Sequence, residues 1–292
     1  MGVYHAGSLA VQDRLGVRDL AAHVGRSVGS GIKPVAAAFL ELQPLLVMGA
    51  ADPATGRVWA AALAGEPGFV RATGPGRVSV VGRAAPTNPL AAALATDATP
   101  AGAIALDPRT RRRMRLGGRI RPTPRGFAVE ADRVFANCPK YLQRRESYRI
   151  LPDRTPGEPR RGTELTPEQA RFVAAADTFF LASVHEGGAD ASHRGGNPGF
   201  LRVDSPRELS WRDYPGNAMF LSLGNLAADP RAGLLLLDWT SGTALHLTGE
   251  ARTEYTPERR VRFTLFEAVE IPAAVPLRWS PPEYSPANPE QP

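Results

Sequence analysis

Apolar residues in this chain occur in short runs separated by turn-forming residues, a pattern typical of strands joined by hairpins. In the first half, the pattern predicts mainly helix over residues 8–42, with a break at 29–34. Strands are then predicted at 45–50, 57–63, 77–81, 102–106, 114–120 and 127–131. In the second half, it predicts helices at 166–175 and 218–229, and strands at 178–185, 191–195, 209–211, 233–239 and 244–253. Many short strands with few helices indicate small β-barrels.

The second half of the chain repeats the first at a constant offset of 131 residues. Residues 59–122 align with residues 190–253 without a gap, and 16 of the 64 aligned pairs are identical. The turn GEPGFVR at 65–71 aligns with GNPGFLR at 196–202. A repeat this long indicates a duplicated domain, because solenoid repeats are much shorter. A duplicated domain often keeps an ancestral two-fold interface, so we expect the copies to pack as a pseudo-dimer within one chain.

Composition and pattern divide the chain into five segments. These are an N-terminal helical segment (1–42), a first barrel interpreted as a degenerate copy (43–152), a linker rich in Pro, Arg and Gly (153–165), a second barrel interpreted as the copy that bears the site (166–280) and a Pro-rich tail predicted to be disordered (281–292). The second barrel begins with a helix whose capped start is predicted by Thr166, Pro167 and Gln169.

The formal net charge of +6 comes almost entirely from arginine, since Lys33 and Lys140 are the two lysines of the sequence. The densest basic run, residues 109–115, has no interleaved aromatic residues that could stack on bases. We interpret this run as a solvated turn entering an edge strand, with a nucleic-acid or membrane patch as the alternative. We therefore expect no nucleic-acid partner.

Several site classes are excluded by the residues present. The sequence contains a single cysteine, Cys138, which excludes an intrachain disulfide and a cysteine zinc site. The five histidines lack metal-ligand spacing with carboxylates, so no metal is expected. Nucleophile-elbow, dinucleotide and P-loop motifs are missing, and no catalytic residue is predicted. No stretch resembles a signal peptide or a membrane span, so the expected compartment is the cytoplasm, without a membrane partner.

The two copies differ most in their second strand. Three apolar residues of copy one, at 61–63, become Ser192, His193 and Arg194 in copy two. Burying polar groups unpaired costs about 1–3 kcal/mol each, so this strand either faces solvent or lines a polar site. Ser192 and Arg194 alternate onto one face, where they could hold a phosphate, and His193 is expected on the other face.

A second difference follows the third aligned strand, where VVGR at 80–83 becomes WRDY at 211–214, followed by PGN at 215–217. Aromatic residues, an Asn and a Gly-bearing turn suit a flat heteroaromatic ligand. The start of the next helix would favour an anion. A polar hairpin loop is the alternative interpretation.

The segment NCPKY at 137–141 ends copy one and has no counterpart in copy two. We interpret Cys138 as structural, with a reactive thiol as the alternative. Lys140 either reaches across the pseudo-two-fold axis towards the site of the second copy or is solvated at a helix start.

Several stretches resemble the FMN-binding split-barrel family, which includes pyridoxamine 5′-phosphate oxidase. The strongest is ADASHRGGNPGFL at 189–201, followed by DYPGNAMF at 213–220 and LGNLAADPRAG at 223–233. NCPKY at 137–141 also resembles a segment of uncharacterised members. The resemblance covers about residues 39–253. It implies a mainly β fold with peripheral helices, in which two tandem split β-barrels form an intrachain pseudo-dimer with a cofactor site between them.

The resemblance also implies which residues hold a cofactor. In the family, the strand matching residues 192–194 contributes to binding of the FMN phosphate, and the segment matching 217–225 closes over the phosphate and the ribityl chain. Together with the lysine of copy one, the candidate cofactor-binding residues are Ser192, His193, Arg194, Asn217, Ser222, Asn225 and Lys140.

The sequence departs from the oxidase at two places. The C-terminal Arg-x-His segment that binds the substrate phosphate in the oxidase is replaced here by Arg278-Trp279 and a Pro-rich tail. The lysine expected shortly after the first phosphate arginine is missing, and residues 197–200 occupy that region.

We therefore expect an FMN-binding flavoprotein, a flavin-dependent oxidoreductase acting on an unidentified small molecule. The alternative is a non-enzymatic carrier of flavin, deazaflavin or haem, because relatives of this barrel bind each of these and a fold does not fix function. Either a monomeric pseudo-dimer or a homodimer is compatible with the repeat.

Overall fold

The computed structural model describes residues 2–289. The first half contains α1 (Ala6–Arg14), α2 (Arg18–Gly25), α3 (Pro34–Glu41), β1 (Leu45–Ala51), β2 (Val58–Ala64), β3 (Val70–Gly74), β4 (Arg77–Val81), α4 (Ala91–Ala95), β5 (Pro100–Asp107), β6 (Arg112–Thr123) and β7 (Gly126–Ala136). Three short strands connect the halves: β8 (Arg144–Arg145), β9 (Tyr148–Ile150) and β10 (Arg160–Gly162).

The second half repeats the order of elements from α3 to β7 and adds two short strands at its end. It contains α5 (Pro167–Ala175), β11 (Thr178–His185), β12 (Gly188–Gly195), β13 (Leu201–Ser205), β14 (Glu208–Arg212), α6 (Leu221–Ala228), β15 (Arg231–Leu237), β16 (Ala244–Glu254), β17 (Arg260–Ile271), β18 (Leu277–Trp279) and β19 (Pro282–Glu283). Helix α5 starts with the predicted capping box, in which Thr166 and Gln169 satisfy each other's backbone N–H groups.

The two halves have the same sheet topology. The first sheet has the strand order β2-β1-β5-β6-β7-β4-β3, and the second has β12-β11-β15-β16-β17-β14-β13. A β-bulge at Gly117/Gly118 in β6 recurs at Thr248/Gly249 in β16, at the offset of 131 residues. Within the described residues, each sheet stays open between two edge strands. The predicted fold class, mainly β in two tandem split barrels, is confirmed.

The offset changes in the first hairpin of each copy. Leu46 pairs with Leu63 in copy one, whereas Phe179 pairs with Arg194 in copy two. The turn of this hairpin is therefore two residues shorter in copy two, and it contains Gly187, which has a φ of 75°. This difference explains why the gap-free alignment begins only in the second strand.

The first strand of each half divides its side chains between two cores. In β1, Leu46 packs inside the first barrel, whereas Leu45 packs in a core shared by the halves. In β11, Phe179 packs inside the second barrel and Phe180 joins the shared core. Because both faces of these strands are buried, their sequences are continuous apolar runs rather than alternating ones.

Glycine lets the two halves approach backbone to backbone. A Cβ atom on Gly102 would overlap the backbone of Asp190 and Ala191, and one on Gly233 would overlap that of Trp59. Gly102 and Gly233 are related by the offset of 131, and so are Trp59 and Asp190. The same contact therefore occurs twice, as a two-fold interface requires.

The N-terminal helices pack on both halves. Helix α3 lies against β3 of the first half, whereas α1 lies against α6 of the second. Gln12 on α1 donates a hydrogen bond to the Met219 carbonyl at 2.9 Å. The helices are short, and none in the described part of the chain is long and apolar enough to cross a membrane.

The linker and the tail contain more structure than the composition suggested. Within the linker, β10 pairs with β17. In the tail, β19 pairs with β8, and the backbone N–H of Ser285 donates to the Gln143 side chain at 2.8 Å. The expectation of disorder is corrected for residues 281–289, because these residues satisfy hydrogen bonds at the end of the first half. Residues 290–292 lie outside the described residues.

The sequence pattern missed the short strands β8, β9, β10, β18 and β19, and it also missed three strands of the two barrels: β3, β13 and β17. Strands β3 and β13 have five residues each and directly follow a Gly-rich turn, so the turn signal dominates. Strand β17 carries charged residues on its outer face, including Arg262 and Glu267. These residues interrupt its apolar positions, so the sequence shows no apolar run there.

Replacing Gly102 by alanine should destabilise the chain, because the new Cβ would overlap backbone atoms of Asp190 across the interface. Overpacking of this kind costs about 1–3 kcal/mol of the free energy of unfolding, which chemical denaturation measures. Gly29→Ala is the matched control, since the nearest atoms to its Cβ would lie 3.9 Å away. An equal loss in both variants would contradict the close approach of the halves.

Residues 160–292 expressed alone should aggregate or form a symmetric dimer, because the fragment exposes its side of the shared apolar core. Size-exclusion chromatography with light scattering measures the mass. The full-length chain at the same concentration is the control. A folded, monomeric fragment would show that the second barrel is an independent domain.

Candidate functional site

A cleft lies between the two halves, beside the edge strand β12. The second half contributes the end of β12, Phe200 and much of the segment 211–223, and the first half contributes Ile104, two arginines of β6 and part of the segment 137–141. The cleft brings together six of the seven candidate cofactor-binding residues: Lys140, Ser192, His193, Arg194, Asn217 and Ser222. The seventh, Asn225, does not line it.

A buried ion pair joins the halves beside the cleft. Arg115 on β6 pairs with Asp190 on β12, and both side chains are 8% exposed. The Ser222 hydroxyl donates to the Asp190 carboxylate at 3.0 Å and lies 3.1 Å from the Ser192 hydroxyl. Burial alone would raise the pKa of Asp190, but the Arg115 charge and these hydrogen bonds outweigh it, and the pKa lies below its usual value. Asp190 is therefore ionised and fixes both serines.

Arg194 shares a carboxylate with a second arginine. Its Nη1 donates to Asp213 Oδ1 at 3.2 Å, and Arg259 Nε donates to the other oxygen of Asp213 at 2.6 Å. Burial lowers the pKa of Arg194, and the Asp213 charge opposes this effect. One carboxylate between two guanidinium groups leaves the pair with a net positive charge.

Arg113 is held by uncharged groups. Its Nη1 donates to Nδ1 of His193 at 2.7 Å and its Nη2 donates to the Lys140 carbonyl at 3.4 Å. Burial, followed by the charges of Arg115 and Arg194, lowers the pKa of Arg113 to about 10, so it remains protonated near neutral pH. In the described part of the chain, no carboxylate forms an ion pair with Arg113.

His193 is neutral and its tautomer is determined. Burial, followed by the charges of Arg113 and Arg194, lowers the pKa of His193 well below its ordinary value. Because Nδ1 accepts the hydrogen bond from Arg113, the ring proton resides on Nε2. The imidazole therefore presents an N–H donor.

Both faces of β12 border the cleft. Ser192 and Arg194 share one face, and His193 lies on the other, against Phe180 at 5.8 Å between ring centroids. The alternation of the strand placed His193 on this opposite face, and the family resemblance alone made it a candidate cofactor-binding residue. Arg113 of the first half meets the ring there and brings all three side chains into one site.

The loop before α6 places backbone groups at the cleft. Ala218 and Phe220 have φ angles of 58° and 53°, and Tyr141 across the cleft has 64°. Non-glycine residues seldom adopt this left-handed conformation, and such residues cluster at ligand sites. Helix α6 starts at Leu221 without a side-chain cap, so its first N–H groups can bind an anion.

Residues 165–279, which contain β12, the loop before α6 and Asp213, match the family model described as pyridoxamine 5′-phosphate oxidase. This half belongs to the pyridoxamine 5′-phosphate oxidase-like split-barrel family. No curated protein matches the chain at a significant level.

Several solved structures are similar to part of the chain. A candidate pyridoxamine 5′-phosphate oxidase from Lactobacillus delbrueckii is 16% identical, with 37% of this chain and 94% of that chain covered and a TM-score of 0.30. A FAD-binding protein from Mesorhizobium loti is 12% identical (39% and 97% covered, TM-score 0.29). The FAD-binding protein from Mycobacterium smegmatis is 12% identical (39% and 98% covered, TM-score 0.27).

The resemblance implied that Asn225 lies beside the cofactor, whereas in this split-barrel half its side chain lies away from the cleft. Its Nδ2 donates to the Ser183 hydroxyl at 3.0 Å, and its Oδ1 lies 2.8 Å from Nε2 of His5. The His5 ring stacks on His185 at 4.2 Å between ring centroids. The Asn225 amide thus links α6 to α1 and β11, which removes it from the cleft.

Three residues of the site were missed by the sequence reasoning: Arg113, Arg115 and Asp190. The basic run 109–115 was interpreted as a solvated turn, whereas its last part is the buried strand β6 facing the second half. The internal alignment contained the signal, since Arg113 and Arg115 align with Ala244 and His246. A search for charged residues that copy one has and copy two lacks would have found both arginines.

Asp190→Asn should lower the free energy of unfolding by about 3–5 kcal/mol, because it leaves the Arg115 charge buried without a partner. Because the pKa of Asp190 is lowered by folding, its contribution is present above the unfolded-state value, about 3.9, and is lost as pH falls through the folded-state value. Acid unfolding of the variant should therefore depend less steeply on pH.

Denaturant titrations at several pH values measure both effects. Asp97→Asn is the matched control, because its carboxylate pairs with Arg121 at 2.9 Å but is 66% exposed. The control should lose less than about 1 kcal/mol. Equal losses in the two variants would argue against the structural importance of the buried pair.

Proposed function

We propose that the chain binds FMN in this cleft, with the phosphate held by Arg113, Arg194 and Ser192, and that it is a flavin-dependent oxidoreductase acting on a small molecule. The observation that carries the proposal is a set of buried N–H donors without an acceptor. Among the described residues that line the cleft, these are Nε of Arg113, Arg115 and Arg194, Nε2 of His193 and Nε1 of Trp211. Buried donors are normally satisfied, so an acceptor-rich ligand fits this site.

The balance of charge supports an anionic ligand. Asp190 neutralises Arg115, and Asp213 is shared by Arg194 and Arg259. Arg113 remains without a carboxylate partner in the described part of the chain. Arg113 is half-buried, so leaving its charge uncompensated is costly, and a phosphate dianion would offset that cost. The Ser192 hydroxyl and the start of α6 add neutral donors beside the arginines.

Aromatic and apolar side chains of the same cleft suit a flat ring. Phe200 and Trp211 are buried in its wall, and Tyr141 and Tyr214 lie together with ring centroids 5.1 Å apart. The Tyr141 hydroxyl donates to the Pro215 carbonyl at 2.9 Å and ties the first half to the loop before α6. An isoalloxazine ring bound here would supply the redox chemistry, while these residues orient it and exclude water.

The phosphate contacts are tested by titrating the chain with FMN and with riboflavin, which lacks the phosphate. Wild type should bind FMN about 10–150-fold more tightly than riboflavin, the equivalent of one charge-assisted contact of about 1.5–3 kcal/mol. Arg113→Ala and Arg194→Ala should each lose a similar factor for FMN and little for riboflavin. Flavin absorbance and fluorescence quenching report the binding.

Arg112→Ala is the matched control, because Arg112 neighbours Arg113 on the same strand but is exposed. The control should keep the FMN affinity of wild type. Equal wild-type affinities for FMN and riboflavin would overturn the phosphate site. A haem or deazaflavin spectrum in the purified protein, with no response to added FMN, would favour the carrier alternative.

A further inference from the structure

The pseudo-two-fold axis generates a second cleft, on the opposite side of the interface. Residues 62–64 line it at the positions of 193–195 in the first cleft, and Phe69 takes the position of Phe200. Strand β16 of the second half lines it as β6 lines the first. Its cavity measures about 160 Å³, compared with about 110 Å³ for the first cleft. The second cleft has therefore not been filled by larger side chains.

The chemistry of the second cleft differs from that of the first. Leu63 stands in place of Arg194, Ala244 in place of Arg113, and Val80 in place of Trp211. Among the described residues that line this cleft, the one charged side chain is Arg83, which is exposed at the rim. An ionised ligand would lose its hydration here without a partner, so the cleft favours a neutral one.

The lining contains the half-buried Thr87 and Asn88 and one fully buried polar side chain. His246 takes the position of Arg115 and is 2% exposed. Its Nδ1 lies 2.9 Å from the Ala60 carbonyl, and because a carbonyl only accepts, Nδ1 carries the proton. Burial lowers the pKa of His246 to about 4, so the ring is neutral near pH 7. Its Nε2 therefore has a lone pair and makes no hydrogen bond with any described residue.

We propose that this second cleft, defined by Leu63, Phe69, Val80, Ala244 and His246, binds a neutral aromatic molecule through a hydroxyl or N–H group that donates to Nε2 of His246. Apolar pockets with a few placed polar groups are the usual form of small-molecule sites. A buried acceptor in a mainly apolar wall selects a ligand with a donor over an isostere without one, because the unpaired lone pair is costly. The inference is independent of what binds in the first cleft.

The test uses 2-naphthol as the probe on the full-length chain, with isothermal titration calorimetry. Wild type should bind one equivalent, and 2-methoxynaphthalene, which lacks the donor, should bind at least about tenfold more weakly. In a long-range ¹H–¹⁵N spectrum, the Nε2 resonance of His246 should shift on addition of 2-naphthol. Leu63→Trp, which fills the cleft, should abolish the binding.

Arg113→Ala, a change in the first cleft, is the matched control and should leave the affinity for 2-naphthol unchanged. Loss of binding in this control would place the probe in the first cleft and overturn the inference. Equal affinity for the two naphthalenes, an unshifted His246 resonance at saturation, or no binding to wild type would also overturn it. If Leu63→Trp fails to fold, the shift of the His246 Nε2 resonance in the wild-type chain still tests the inference.

Discussion

The buried ion pair between Arg115 and Asp190 is the interaction on which the organisation of this molecule depends. It crosses the interface between the halves, where both ions are removed from water, so it is stable only while the halves stay in register. The same carboxylate accepts a hydrogen bond from Ser222 at the start of α6. One interaction therefore sets the relation of the barrels and the position of the phosphate-side serines.

Each cleft is lined by residues of both halves. Copy one therefore contributes to the charged cleft even though its own second strand lacks polar residues. Copy one has lost the hydroxyl, imidazole and guanidinium of that strand, but its β6 supplies Arg113 and Arg115 to the cleft of copy two. In return, β16 of copy two supplies Ala244 and His246 to the cleft of copy one. The first barrel is thus half of the charged cleft rather than a remnant.

Much of the fold could be predicted from the sequence, because duplication and apolar runs are local signals. The buried strands β1 and β11, the capped start of α5 and the two-barrel architecture all follow from them. Strands such as β3 are too short to outweigh an adjacent turn, and the tail at 281–289 is ordered by partners about 140 residues away. No pattern within the tail could show that pairing.

The candidate site was predicted in part for the same reason. Ser192 and Arg194 could be found by comparing the copies, since a polar substitution in an apolar strand is visible in the sequence. The sequence could not show that Asn225 lies away from the cleft, because its partners, His5 and Ser183, come from segments far away in sequence. Arg113 was missed because the copies were compared for polar residues that copy two gains, whereas here copy one carries the arginine and copy two has Ala244.

Fusion of the two barrels into one chain explains how the clefts could become different. In a symmetric homodimer, every substitution appears in both sites, so a change that removes charge from one removes it from the other. Within one chain, the contacts of Gly102 and Gly233 preserve the two-fold interface while Arg115 and His246 diverge. The close backbone contacts keep the interface symmetric, whereas the side chains that face the two clefts can differ from each other. A charged cleft and a neutral cleft can therefore share one interface.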